Sequence, residues 1–424
     1  MHYRVVSVLA ASTLLVLGVT ACSSSADSDT PADEKVTLTF ASLLSEDAGV
    51  KAVIAAFEEA NPDITITSTS ADTDNYQTTL RTQLSSGTAP DVFFTWPGDG
   101  NPMAMQVVQE AGLIEDLSSM SFATQLPSGV AAVTNVDDKT WIAPITYSGI
   151  GAVYNMTAME SAGLTVPTTW TSLLQFCADA RAQGGSAFAL AGATPWNTQL
   201  IPYALTPTLV YGPDPGFAAK MSEGEVTFAD SEWKTAFDKN VEMADAGCFQ
   251  DGFLGTTYEK ALSLVSQGTA FASVQVNASI AAIVAGAPSG TTFAMEPLSA
   301  TDDASATRMA GAVGASYAVN AKTDVMDAAN RLIEFLVSPE GAAIYSTAAS
   351  GIPAIPSSSF EADPSLSTFV TYQEDGKTDP FMDQLWPNAK VQQVHFQVIQ
   401  QLLAGSISST DALEQMDAAY AEGE

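Results

Sequence analysis

Histidine is almost missing from this 424-residue chain, which has only His2 and His395. A His-rich zinc site is excluded by count, and a Ser-His-Asp triad could be built only on His395. Cysteine is as scarce, at Cys22, Cys177 and Cys248. Basic residues are few, with 15 Lys and Arg against 48 Asp and Glu and a formal charge of −33. Phosphate backbones are held by clustered cations, so nucleic acid is not expected as a partner, nor adhesion of the body of the protein to an anionic membrane. There is no GxxxxGK[ST] loop, and Gly149-Ile150-Gly151 lacks the third glycine of a dinucleotide fingerprint, so no nucleotide or other cofactor is expected. No segment beyond the N-terminus reaches 18 uninterrupted apolar residues. What is present is core material. Hydrophobic residues make up 46% of the chain, and the length suits two domains or one large one.

The N-terminus opens Met-His-Tyr-Arg, runs apolar over 5–19 and ends Thr20-Ala21-Cys22. A short basic start followed by about 15 apolar residues describes a secretory h-region, below the roughly 20 needed to span a bilayer. Cys22 after Val19-Thr20-Ala21 resembles the bacterial lipobox, in which lipid is attached to the Cys thiol. The reading is a signal peptide over 1–21 and a flexible tether over 22–35; the alternative is an ordinary signal peptide that leaves Cys22 a free thiol. Export would place Cys177 and Cys248 in an oxidising compartment, where a disulfide is expected over two buried thiols.

Along the rest of the chain, apolar alternation marks strands at 36–41, 63–67 and 91–94. Three-and-four spacing marks helices at 49–60 and 76–84. A β-α-β-α-β order with short links calls for a parallel or mixed sheet, and ligands in such sheets sit beyond the carboxyl ends of the strands. Those ends are 42–47 and 95–101. Further on, 140–154 is β-rich and 171–181 helical, while 186–204 reads as loop. Helices are expected at 233–246, 258–266, 328–336 and 391–403, and a strand at 271–276.

Several segments together resemble the extracellular solute-binding proteins of carbohydrate ABC importers, the family that includes maltose-binding protein. They include Phe57-Glu58-Glu59-Ala60-Asn61-Pro62, Ser86-Gly87-Thr88-Ala89-Pro90-Asp91-Val92-Phe93, Ala111-Gly112-Leu113-Ile114-Glu115-Asp116-Leu117, Pro167-Thr168-Thr169-Trp170 and Phe335-Leu336-Val337-Ser338-Pro339-Glu340-Gly341. The resemblance implies an α/β, two-lobed periplasmic-binding-protein-like fold of type II, with ligand in the cleft between lobes joined by crossing strands. The crossings would fall near 143–148, 268–272 and 312–318. Lobe one would then be 36–145 plus 270–312, and lobe two 146–269 plus 313–424.

A saccharide offers C–H faces to flat rings and hydroxyls to carboxylates and amides. Ser45, Glu46, Trp96 and Asp99 lie just past strands of the first lobe. Ser45 and Glu46 equally suit a solvated helix N-terminus, and Trp96 could instead close the lobe edge. Tyr147 follows the first crossing, Trp196 lies in an irregular segment, and Gln275 and Asn277 end a strand. Trp386 and Asn388 precede the last apolar helix. The family often has a Trp where Ala278 falls, and its absence shifts stacking to Trp96, Trp196 and Trp386. Trp141, Trp170 and Trp233 read as packing residues, and His395 as a semi-buried histidine with satisfied partners.

The expected protein is a non-enzymatic binder, lipid-anchored on the extracytoplasmic face of a bacterial cell membrane and acting as a single copy. It would capture a neutral oligosaccharide and deliver it to ABC permease subunits. The proposed positions contain no Arg or Lys, which disfavours an anionic solute. The alternatives are a non-sugar solute, or a secreted glycoside hydrolase, which would need two carboxylates about 5–10 Å apart.

Overall fold

The computed structural model describes residues 35–357 and 360–422. Cys22 and the rest of the N-terminal segment lie outside them. Two mixed sheets organise the chain. In the first, the strands run in the order Ile64–Ala71, Val36–Leu43, Val92–Phe94, Ser316–Val319, Ala143–Pro144. The first three are parallel, in register from Val36 opposite Ile64 to Leu43 opposite Ala71. Ser316–Val319 is antiparallel to both its neighbours. The helix Asp47–Ala60 turns Val50, Val53, Ile54 and Phe57 inward. Thr73–Ser86 starts on the Asp72 side chain, which accepts from Asn75 N, and stops at Gly87, whose φ of 74° only glycine adopts without strain. Leu332 and Tyr345, from Met326–Val337 and Pro339–Ala348, complete the core with Phe40, Phe93 and Tyr317.

The second sheet is built on the ten-residue strand Thr146–Asn155. Met309–Val313 and Ala270–Val276 flank it, both antiparallel, and Ser186–Phe188 runs parallel to Ala270–Val276. Its strands are buried on both faces because helices cover each side. Cys177 on the helix Trp170–Ala182 and Cys248 are joined by a disulfide, with Cα atoms 4.6 Å apart. Among the described residues, no helix is long and apolar enough to cross a membrane.

The sheets fix where the chain passes between the two bodies. It leaves the first at Pro144 and enters the second at Thr146, returns between Val313 and Ser316, and leaves again after Ala349 to pair Ile352 with Tyr147. The first two of these passages lie within 143–148 and 312–318. At 268–272, where a third crossing is expected, Ala270–Val276 instead hydrogen-bonds to Thr146–Asn155 within the second sheet. The residues expected to complete lobe one, 270–312, belong to the second body, and 316–349 belong to the first. A fully buried apolar strand carries no mark of which sheet receives it.

The stretch 186–204 also differs from expectation. It holds the strand Ser186–Phe188 and the helices Pro195–Thr198 and Leu200–Thr206. Every residue of Leu200–Thr206 is buried. A helix enclosed on all sides has no polar face, and so no periodicity to read.

Candidate functional site

A cavity of about 830 Å³ lies between the two bodies. The first body supplies the ends of its parallel strands. Leu43–Ala48 follows Val36–Leu43, Asp72–Asp74 with Gln77 follows Ile64–Ala71, and Phe94, Trp96, Pro97 and Asn101 follow Val92–Phe94. This is the carboxyl-end placement that parallel strands favour. The second body contributes Trp196, Gln199 and Tyr203, the N-terminus of Tyr258–Ser266, the start of Ser279–Ala285, and Asp383 and Gln384.

Two aromatic groups stand on opposite walls. Trp96 is half-buried and packs edge-on against Phe94, with centroids 4.8 Å apart. Trp196 lies 4.9 Å from Tyr258, tilted by 57°. Each ring is braced from behind, which costs a ligand less than ordering a free side chain.

Glu46 is the most constrained acid of the site, 8% exposed at the start of Asp47–Ala60. Tyr345 donates its hydroxyl proton to Glu46 Oε2 at 2.8 Å. The Tyr345 and Tyr317 hydroxyls are 2.9 Å apart, and Tyr317 and Ser42 are 2.8 Å apart. Because Tyr345 donates its hydrogen bond to the Glu46 carboxyl, Tyr317 must donate to Tyr345 and Ser42 to Tyr317, so the chain of hydroxyls points at the acid. Burial pushes the Glu46 carboxyl up to about 7, with the Tyr345 bond working against it. Asp383 is likewise pushed up to about 6 by burial. Its Oδ2 accepts from Gln392 Nε2 at 3.1 Å.

One end of the cleft is closed tightly. The loop after Val92–Phe94 lies on the backbone of Asp383 and Gln384. A Cβ at Gly100 would fall 1.8 Å from Asp383 O, and one at Gly98, where φ is 72°, 2.5 Å from Gln384 O. Only glycine allows that approach. Beside it, Asn101 Nδ2 donates to Gln392 Oε1 at 3.0 Å, joining the two bodies directly.

Of the expected contacts, the structure gathers Ser45, Glu46, Trp96 and Trp196 around the cavity. Asp99 is near but does not line it; burial and the charge of Glu110 raise its carboxyl to about 6. Tyr147 is turned away, stacked on Phe369 and donating to Gly311 O at 2.8 Å. Gln275 is buried, accepting from Asn197 Nδ2 and donating to Ser273 Oγ. Asn277 accepts from Gly149 N and donates to Ser350 O, both at 2.7 Å, and so serves the third crossing. Trp386 is 2% exposed among Tyr203, Phe228, Trp233 and His395. Asn388 caps Ala389–Leu403 by accepting from Lys390 N.

His395 is fully buried, not semi-buried, and among the described residues neither ring nitrogen has a hydrogen-bond partner. Burial lowers its pKa to about 3. Trp170 and Trp233 are buried as packing residues, and Trp141 is half-buried against the first core. Ala278, where the family often has Trp, does line the cavity.

Sequence reasoning missed Asp72, Asp74 and Gln77, although the strand-end rule applied to Ile64–Ala71 would have found them. It also missed Tyr258, for which a polar-aromatic helix start gave no special signal. Gln392 carried one, as a polar side chain on the apolar face of Ala389–Leu403.

Known proteins share this fold. A chitin oligosaccharide binding protein superposes with a TM-score of 0.77 at 18% identity, over 92% of this chain and 99% of that one. A sugar transporter protein of Bacillus licheniformis, in complex with stachyose, gives 0.71 at 20%, over 92% and 100%. In sequence, the chain is 30% identical over 196 residues to the multiple sugar-binding protein of Streptococcus mutans. That match covers 46% of this chain and 45% of the relative, so it spans less than half the relative's length. A family model described as bacterial extracellular solute-binding protein matches residues 52–368, three quarters of the chain. With that match across both bodies and the cleft they share, the chain belongs to the bacterial extracellular solute-binding protein family.

Proposed function

We propose that this protein captures a saccharide of two or more units in the cleft and delivers it to the permease of an ABC importer, without chemical change. The observation that carries the reading is the lining of the cavity: Trp96 and Trp196 on opposite bodies, with acids and amides between them. Rings take the C–H faces of a sugar and acceptors take its hydroxyls. No Lys, Arg or His among the described residues lines the cavity, which disfavours an anionic solute. Only a closed arrangement touches a ligand from both bodies, so binding shifts an open–closed equilibrium. A lipid on Cys22 and the tether over 22–35 would hold a single copy at the outer face of the cell membrane. The sequence relative supports the sugar assignment by its name, multiple sugar-binding protein.

The test is a calorimetric screen of mono-, di- and trisaccharides, followed by Trp96→Ala and Trp196→Ala with the best binder. Each variant should lose about 1–3 kcal/mol of binding, roughly tenfold to a hundredfold in Kd. Trp170→Phe should alter stability more than affinity. Binding within twofold of wild type in both folded alanine variants would place the site elsewhere. Release of reducing sugar from a bound oligosaccharide would make the protein a hydrolase instead.

A further inference from the structure

The absence of basic residues from the cleft disfavours anions but does not choose between a neutral and a cationic sugar. The acids decide that. Every charged side chain lining the cavity is acidic: Glu46, Asp47, Asp72, Asp74, Glu259 and Asp383. Several have other duties. Asp47 pairs with Lys51 and accepts from Ser70, Asp72 caps a helix, and Asp383 accepts from Gln392 under the Gly100 backbone. Glu46 differs. It is buried, and among the described residues it has no salt bridge and receives one donor, Tyr345, on one oxygen. From the second body, Tyr258 lines the same cavity, its hydroxyl paired with Ser279 Oγ at 2.8 Å.

A buried carboxylate without a counter-charge is costly, so Glu46 keeps its proton to about pH 7. What would let it ionise is a ligand group that brings both donors and positive charge.

Resting on the saccharide reading above, we propose that the cleft is selective for an amine-bearing sugar, whose ammonium group is received by Glu46. An ammonium brings three donors and a charge to the free oxygen of Glu46, where a hydroxyl brings one donor and no charge. The neighbouring Tyr258–Trp196 pair offers ring faces that attract a cation as well as C–H groups.

The experiment uses three disaccharide pairs that differ only in a 2-amino for a 2-hydroxyl group: β-1,4-linked glucose, α-1,4-linked glucose and galactosyl-β-1,4-glucose. Kd is measured by calorimetry at pH 6.5 for wild type and Glu46→Gln, with thermal melts confirming that the variant is folded. In the pair that binds best, the amino sugar should bind about tenfold or more tightly, and that ratio should fall to about twofold in the variant. Hydroxyl sugars binding as tightly as their amino partners would overturn the inference and leave the saccharide function standing. An amine preference unchanged in Glu46→Gln would overturn the role of Glu46. If neither form of any pair binds, and the wider saccharide screen is also blank, the function itself fails and this inference with it.

Discussion

The proton on Glu46 links the cleft to the stability of the fold. Its carboxyl is raised from the ordinary 4.5 to about 7 by burial, so the folded protein holds that proton to a higher pH than the unfolded chain does. The sign follows. Between about pH 4.5 and 7 the native state binds more protons, and stability falls as pH rises through that window. Asp383, raised to about 6, adds a smaller effect of the same sign. Urea unfolding of the ligand-free protein at pH 5 and pH 8 should therefore show a loss at the higher pH. Glu46→Gln should remove up to roughly 3 kcal/mol of that loss, the rest being due to Asp383 and other groups. An identical pH dependence in the variant would mean that Glu46 ionises freely in the folded protein. His395 acts in the opposite direction: with its pKa lowered to about 3, it withholds a proton that the unfolded chain takes up below about 6.5.

The disulfide ties the helix Trp170–Ala182 to Cys248, beside the strand Ser186–Phe188, and closes a loop with a sequence separation of 71. Constraint of the unfolded chain by a loop of that length is worth about 4 kcal/mol in the chain-entropy account. Replacing both cysteines by serine should lower the urea midpoint of the second body and leave sugar affinity within about twofold, since neither cysteine lines the cavity. A loss of affinity without loss of stability would contradict this. Elements of this kind were largely legible in the sequence. The helix Asp47–Ala60 and the strand Val36–Leu43 appear within two residues of their expected ends, because the helix has one buried face and the first half of the strand alternates, so each shows a period. Leu200–Thr206 has none and was read as loop. The site was half legible for a related reason. Polar residues at strand ends serve ligands and crossings alike, so Glu46 at the cavity and Asn277 at a crossing look the same in sequence. Trp386 looked like a platform because an isolated Trp says nothing of the Trp233, Phe228 and Tyr203 that enclose it.

At the scale of both bodies together, Asn277 is the residue to watch. It ties Gly149 of the central strand to Ser350 of the third crossing, and Ser350 holds a φ of 51°, unusual for a residue with a side chain. Asn277→Ala frees that crossing without touching the cavity. The variant should bind sugar about three- to tenfold more weakly, through faster dissociation, and small-angle scattering should show a less complete compaction on binding. Lost stability with unchanged affinity and compaction would reduce Asn277 to packing.

The order of strands in the first sheet has one more consequence. Ser316–Val319 sits between Val92–Phe94 and Ala143–Pro144, and Tyr317 and Tyr345 reach Ser42 and Glu46 across 275 and 299 residues of chain. A chain delivered from its N-terminus thus carries a sheet with an inner strand missing until most of the protein has followed. Contacts so distant in sequence form late. The first body cannot shut early, and a segment still threading through a translocation pore would remain loose enough to pass.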